Sequence, residues 1–187
     1  MKKETYIPGF FSRIYRSKQL ISMHSLISEN SEIIRHQNFF GFLQGSLFLR
    51  QVYNETFIIL NGNRRRGITI DQIIDKISDS ILREQHFSQL NFCRKAILNE
   101  ARKTVRDKEI CHFDDFDLMI FQNLKPDSKL DYNEVFQILI KIEELLTSLS
   151  SDNCPSIQYT IQDFINHDPA TQDLKNILEY ICVQEYA

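Results

Sequence analysis

Apolar residues recur at intervals of three and four along almost the whole chain, and no stretch shows the alternation or turn chemistry of a β-hairpin. The clearest run is Val135, Ile138, Leu139, Ile142, Leu145 and Leu146, which share one face of a helix. Asp131 stands ahead of it where a carboxylate caps free backbone N–H groups, with Glu134 at the third position after it. A chain patterned this way throughout is expected to be all-α, an up-and-down helical bundle.

The remaining elements follow from the same periodicity. A first, more polar helix is expected over about 11–27, with Phe11, Ile14, Tyr15, Leu20, Met23 and Leu26 inward, then a turn over Ser28–Ser31. A long helix is expected over about 31–60, with Phe39, Phe40, Leu43, Leu47 and Phe57 inward. Gly41 and Gly45 lie four apart on it, a spacing that suits close approach of a neighbouring helix. Thr69 and Gln72 read as a capping box opening a short helix on Ile70, Ile73, Ile74 and Ile77. After a break at Ser78–Ser80, a further helix is expected from about His86 into Arg102–Ile110. Asp168-Pro169 reads as N-cap and first residue of a last helix carrying Leu174, Ile177, Leu178 and Ile181, preceded by a short helix through Tyr159, Phe164 and Ile165. Residues 1–150 thus form the bundle, and 151–187 a carboxy-terminal helical extension packed on the same domain.

With 187 residues, 42% of them hydrophobic, the chain has material for one well-filled core rather than two. Five Gly and four Pro exclude a fibrous or linker-rich protein. Charge is unevenly spread. Residues 1–70 carry a balance of +6, and the rest −9, within a total of −3. Two readings stand side by side, a basic face for an anionic partner and mutual attraction of the two halves within one fold. Cys93, Cys111, Cys154 and Cys182 are irregularly spaced with no CxxC pair, and the most apolar stretch, Phe39–Leu60, is broken by Gln44, Arg50, Gln51, Asn54 and Glu55. A reduced cytoplasmic protein without a membrane span is expected.

Familiar catalytic motifs are missing: there is no Gly-rich phosphate loop, HExxH, GxSxG or zinc-finger spacing, and the five histidines suggest neither metal nor cofactor. What stands out is Arg102-Lys103-Thr104-Val105-Arg106-Asp107-Lys108-Glu109-Ile110-Cys111-His112. An arginine such as Arg106 can grip a phosphate bidentately and stabilise charge developing on it. A histidine such as His112 titrates near neutral pH and can move a proton between a ribose 2′-hydroxyl and a leaving oxygen. The plainer reading is cations favoured by a helix C-terminus, with His112 in a structural or capping role. Residues six apart on one helix are rotated by about 120°, so a single helix assembles no tight site from Arg106 and His112; a two-fold pair of helices does. Arg64, Arg65 and Arg66 are either a solvated turn or added affinity for a nucleic-acid backbone, and Arg102 and Lys103 are candidates of the same kind.

Arg106-Asp107-Lys108-Glu109-Ile110-Cys111-His112 resembles the signature of the HEPN superfamily, an arginine, a polar residue, and a histidine after four to six intervening residues. The stretch Asn38–Tyr53 and the short helix Ile68–Ile74 are similar to those of its abortive-infection subgroup, although the chain has Asn61–Arg66 where that subgroup usually carries an acidic residue. The resemblance covers roughly residues 30–150. It implies a HEPN-type bundle dimerising through the Arg-His helices, and a metal-independent endoribonuclease that leaves a cyclic phosphate, acting as a toxin or phage-defence effector. It implies Arg106 as phosphate-binding residue, His112 as acid-base residue and Asp107 as the polar orienting residue. A nucleotidyltransferase-like antitoxin is the partner it suggests. Other members of the superfamily are non-enzymatic binding or scaffold modules, the alternative for this chain.

Overall fold

A computed structural model describes residues 7–31, 39–40, 43, 49–61, 69–97, 131–150 and 160–185. These residues are helical apart from short turns and helix ends, and no strand occurs among them. The described helices are α1 (Ile7–Glu29), α2 (Leu49–Asn61), α3 (Ile70–Ile74), α4 (Ser80–Ile97), α5 (Tyr132–Leu149), α6 (Ile161–His167) and α7 (Pro169–Glu185).

The helix that looks most polar in sequence is the central one. α1 packs against α2, α5, α6 and α7, so it is covered on several sides and has no single apolar stripe. Its buried residues are Phe10, Ile14, Ser17, Lys18, Ile21, Ser22, Leu26 and Ile27. This corrects the expected inward set: Tyr15 is 44% exposed, and Phe11, Leu20 and Met23 only border the cores. The helix also begins at Ile7, ahead of the expected start.

α5 follows its sequence pattern closely. Asp131 caps it by accepting hydrogen bonds from the backbone N–H groups of Asn133 (2.9 Å) and Glu134 (3.2 Å). Every apolar residue expected inward is buried, together with Phe136. Burying these side chains is worth on the order of 10–20 kcal/mol before ordering costs are subtracted, which makes α5 the main apolar wall against α1 and α4.

Other local signals also determine structure. Thr69 and Gln72 form the expected capping box, with Gln72 N–H donating to Thr69 Oγ1 at 3.2 Å and Thr69 N–H donating to Gln72 Oε1 at 3.0 Å. α4 starts at Ser80, well before the expected His86, because Asp79 Oδ1 accepts from the N–H groups of Ile81 (2.9 Å) and Leu82 (3.1 Å). A second capping box, Thr160 with Asp163, opens α6. Of the segment expected as one long helix, Leu49–Asn61 and the pair Phe39–Phe40 are described and helical; Gly41, Gly45 and Leu47 lie outside the described residues.

Two apolar cores result. The larger joins α1 through α5 and takes Phe164 from α6. The smaller consists of Leu26, Ile27, Phe40, Ile165, Leu174 and Leu178, and seats α6 and α7 on the far part of α1. Besides Tyr15, two further residues expected inward face water instead, Phe39 at 63% and Ile177 at 52% exposure. No helix among the described residues is long and apolar enough to cross a membrane.

Candidate functional site

Arg106, Asp107 and His112 lie outside the described residues, as do Arg64, Arg65, Arg66, Arg102 and Lys103. The structure describes the helices from which these segments depart. The segment with Arg64–Arg66 leaves α2 after Asn61 and rejoins the described chain at Thr69, the cap of α3. The segment with Arg102–His112 follows α4, whose last described residue is Ile97.

One side chain ties these departure points together. The Arg94 guanidinium, on the last turn of α4, donates from Nε and an Nη atom to the Leu60 carbonyl oxygen at 2.9 and 2.7 Å. It also grips Asp71 of α3 through both carboxylate oxygens, at 2.7 and 2.5 Å. A helix leaves its last carbonyls without intrahelical donors, and Leu60 is fully buried, so Arg94 satisfies an acceptor that water does not reach. Only arginine offers the planar fork for both tasks at once. Sequence reasoning missed Arg94, because its partners lie 34 and 23 residues away; its position in the last turn of α4 was the one local hint.

Further polar contacts hold α1 in place. Lys18 is 2% exposed, bonded to Glu143 of α5 at 2.5 Å, with its ammonium 5.5 Å from the centre of the Phe136 ring. Glu55 of α2 accepts from Arg13 at 2.5 Å and from Gln51 at 2.7 Å. Lys18 and Glu55 are thus buried with charged partners, which offsets the large cost of removing them from water.

The remaining polar cluster lies where α1 meets α6 and α7. Asp168 is 5% exposed and caps α7 by accepting from the N–H and hydroxyl of Thr171, both at 2.9 Å. It also accepts from the Tyr15 hydroxyl and from Gln19 Nε2, the latter at 3.0 Å to each oxygen. Burial alone pushes its carboxyl up, but the bonds from Tyr15, Gln19 and Thr171 more than offset this and hold it below the usual carboxylate range. Asp163 is likewise held down, chiefly by the Thr160 hydroxyl and backbone N–H. Tyr15, Asp163, Phe164, His167 and Asp168 line a recess of about 120 Å³ there. Its carboxylates are engaged in capping α6 and α7, so the cluster acts as a clasp between helices.

No family model, curated protein or solved structure matches this chain.

Burial also perturbs two other titratable groups among the described residues. His24 packs its ring on Tyr132, 4.2 Å between centres, and burial lowers its pKa. Cys93 is a buried free thiol whose pKa burial raises, the opposite of what a reactive cysteine needs. Among the described residues, then, Lys18, Glu55, Arg94 and Asp168 serve helix ends and helix pairs, whereas Ser17 Oγ and Thr56 Oγ1 are buried with no hydrogen-bond partner. Arg94 bonds the helices on both sides of the Arg64–Arg66 segment.

Proposed function

We propose that this chain is a metal-independent endoribonuclease of the HEPN type, working as a homodimer in which each subunit contributes an Arg106 and a His112 to a shared cleft. The observation that carries the reading is the spacing Arg106-Asp107-…-His112 in a chain whose described residues are helical. The arginine supplies a charge-assisted, two-pronged grip on a phosphate. The histidine removes the 2′-hydroxyl proton as oxygen attacks phosphorus, and a protonated histidine returns a proton to the departing 5′-oxygen. The products are a 2′,3′-cyclic phosphate and a free 5′-hydroxyl. Asp107 orients the arginine beside it.

The Arg94 joint supports this reading, since it binds the helices flanking the Arg64–Arg66 segment to the helix that precedes Arg102–His112. Cations from both segments, Arg64, Arg65, Arg66, Arg102 and Lys103, then serve the RNA backbone, an electrostatic affinity that falls with salt. Action in the cytoplasm as a toxin or phage-defence effector, with a nucleotidyltransferase-like antitoxin as partner, belongs to the same proposal.

The test uses the purified full chain, an unstructured RNA and a chelator. Cleavage with cyclic-phosphate ends is expected, together with loss of at least 100-fold in rate for His112→Ala and Arg106→Ala. The dimer and the melting temperature are expected to persist in both variants. Full activity of His112→Ala, or an intact protein that cleaves no RNA as a dimer, refutes the reading and favours a scaffold module of the same fold.

A further inference from the structure

One ring on the outer ridge of α4 and α5 is both open to water and flanked by cations. Phe92 is 56% exposed, and the Lys141 ammonium of α5 lies 4.6 Å from its centre. Gln89, a turn earlier on α4, donates from Nε2 to the Lys141 carbonyl oxygen at 3.4 Å and ties the two helices there. Lys95 follows Phe92 by three residues, a spacing that makes the two neighbours on the helix surface. Both lysines are exposed, and neither is paired with a described carboxylate. Glu144, three residues beyond Lys141, bounds the cationic patch on α5. The other large exposed apolar residues of α4, Ile81 and Leu82, stand about 15 Å away along its axis, so no apolar strip surrounds the ring. A lone open ring beside two ammonium groups suits a base and its phosphates better than an apolar protein face. Phe92 also lies about 7–8 Å along α4 from Ile97, after which the chain enters the segment with Arg102–His112.

We propose that Phe92 is a stacking platform for one base of single-stranded RNA, with Lys141 and Lys95 meeting the flanking phosphates. The choice of RNA rests on the ribonuclease reading above. The base lies on the part of the ring that Lys141 leaves open. Stacking accepts any base, so the platform adds affinity without sequence preference. Duplex RNA keeps its bases stacked within the helix and gains nothing from the ring.

Fluorescence anisotropy with the full chain and a labelled 2′-O-methyl oligoribonucleotide tests this. The probe lacks the attacking hydroxyl, so it reads binding whether or not the chain cleaves. Phe92→Leu keeps the apolar bulk without the π-face and should weaken binding about fivefold or more. The same variant should bind an abasic oligonucleotide of equal length as the wild type does, which a merely structural role of Phe92 does not predict. Lys141→Gln and Lys95→Gln should each reduce the slope of log affinity against log salt by about 0.7, and Phe92→Leu should leave it unchanged. Equal affinity of Phe92→Leu and wild type for the full oligonucleotide, or equal losses on both probes, overturns the platform. A wild type that binds neither probe overturns it too. Cleavage of RNA by such a protein leaves the nuclease standing. Conversely, binding that depends on Phe92 in a chain that cleaves nothing keeps the platform and removes the nuclease. Tighter binding of a glutamate-rich peptide than of the oligonucleotide overturns RNA as the occupant.

Discussion

Replacing Arg94 by alanine removes four hydrogen bonds in one step, two to the Leu60 carbonyl and two to Asp71. The Leu60 oxygen belongs to a fully buried residue, and leaving such an acceptor unpaired costs about 1–3 kcal/mol. The ion pair with Asp71 adds less, because its side chains are 22% and 30% exposed and solvent screens them, so about 0.5–1 kcal/mol is appropriate. Together these predict a loss of about 1.5–4 kcal/mol, which for a chain of this size is about 3–16 °C in melting temperature. The assay is urea unfolding of wild type, Arg94→Ala, Arg94→Lys and Asp71→Asn, followed by circular dichroism. Lysine keeps the charge without the fork, so it should recover less than half of the loss. Asp71→Asn should cost no more than about 1 kcal/mol, since the Leu60 carbonyl keeps its donor. An Arg94→Ala loss below about 0.5 kcal/mol, or full recovery in Arg94→Lys, refutes the role of Arg94 as the donor to a buried carbonyl.

Further outcomes follow from the other buried polar groups. Lys18→Met strands Glu143 and should destabilise by about 2–4 kcal/mol, whereas Lys18→Met with Glu143→Leu should recover most of that, as a double-mutant unfolding cycle reads directly. Burial holds His24 below its ordinary pKa, so the unfolded chain takes up a proton first. Stability is unaffected well above the ordinary value of about 6.5 and falls as pH drops through it. His24→Phe should lessen that slope between about pH 7.5 and 5, and parallel profiles for the two proteins would contradict it. Asp168, held below the usual range, stabilises above its unfolded value of about 4 and loses this as pH falls through its lower folded value. Asp168→Ala should cost about 2–3 kcal/mol near neutral pH by removing the cap of α7 and the partner of Tyr15, measured by urea unfolding.

The helical class and the caps were legible in the sequence because they depend on neighbours within a turn. Asp131, the Thr69–Gln72 pair and the inward residues of α5 are where local pattern places them. The phase of α1 was not legible. A helix covered on several sides has no stripe, and its interior positions Ser17, Lys18 and Ser22 look like a solvated face until α2 and α5 are seen around it. Asp79 sits in the Ser78–Ser80 break that the sequence pattern places before α4, yet its bonds to Ile81 and Leu82 start the helix there. The same holds for Ile177, which keeps the spacing of Leu174 and Leu178 but faces away from the smaller core. The candidate residues Arg106 and His112 rest on sequence, since they lie outside the described residues; Arg94, visible only through contacts distant along the chain, is the structural addition.

Why an arginine at this joint matters can be argued from chain geometry. A helix of 13 residues ends at Asn61 and the next is capped by Thr69, with seven residues between them in the sequence. Three of those residues are arginines, the cations proposed above to serve an RNA backbone. Arg94 holds together the helices on either side of these residues by bonding the last buried carbonyl of α2 and the first acidic side chain of α3. In the function proposed above, these three cations meet phosphate. On this reasoning a polyphosphate or short RNA should raise the melting temperature of the wild type, and the gain should shrink when Arg64, Arg65 and Arg66 are all changed to glutamine. It should also fall with added salt, because the effect is carried by exposed charge. The same gain in the glutamine variant would show that the anion binds elsewhere.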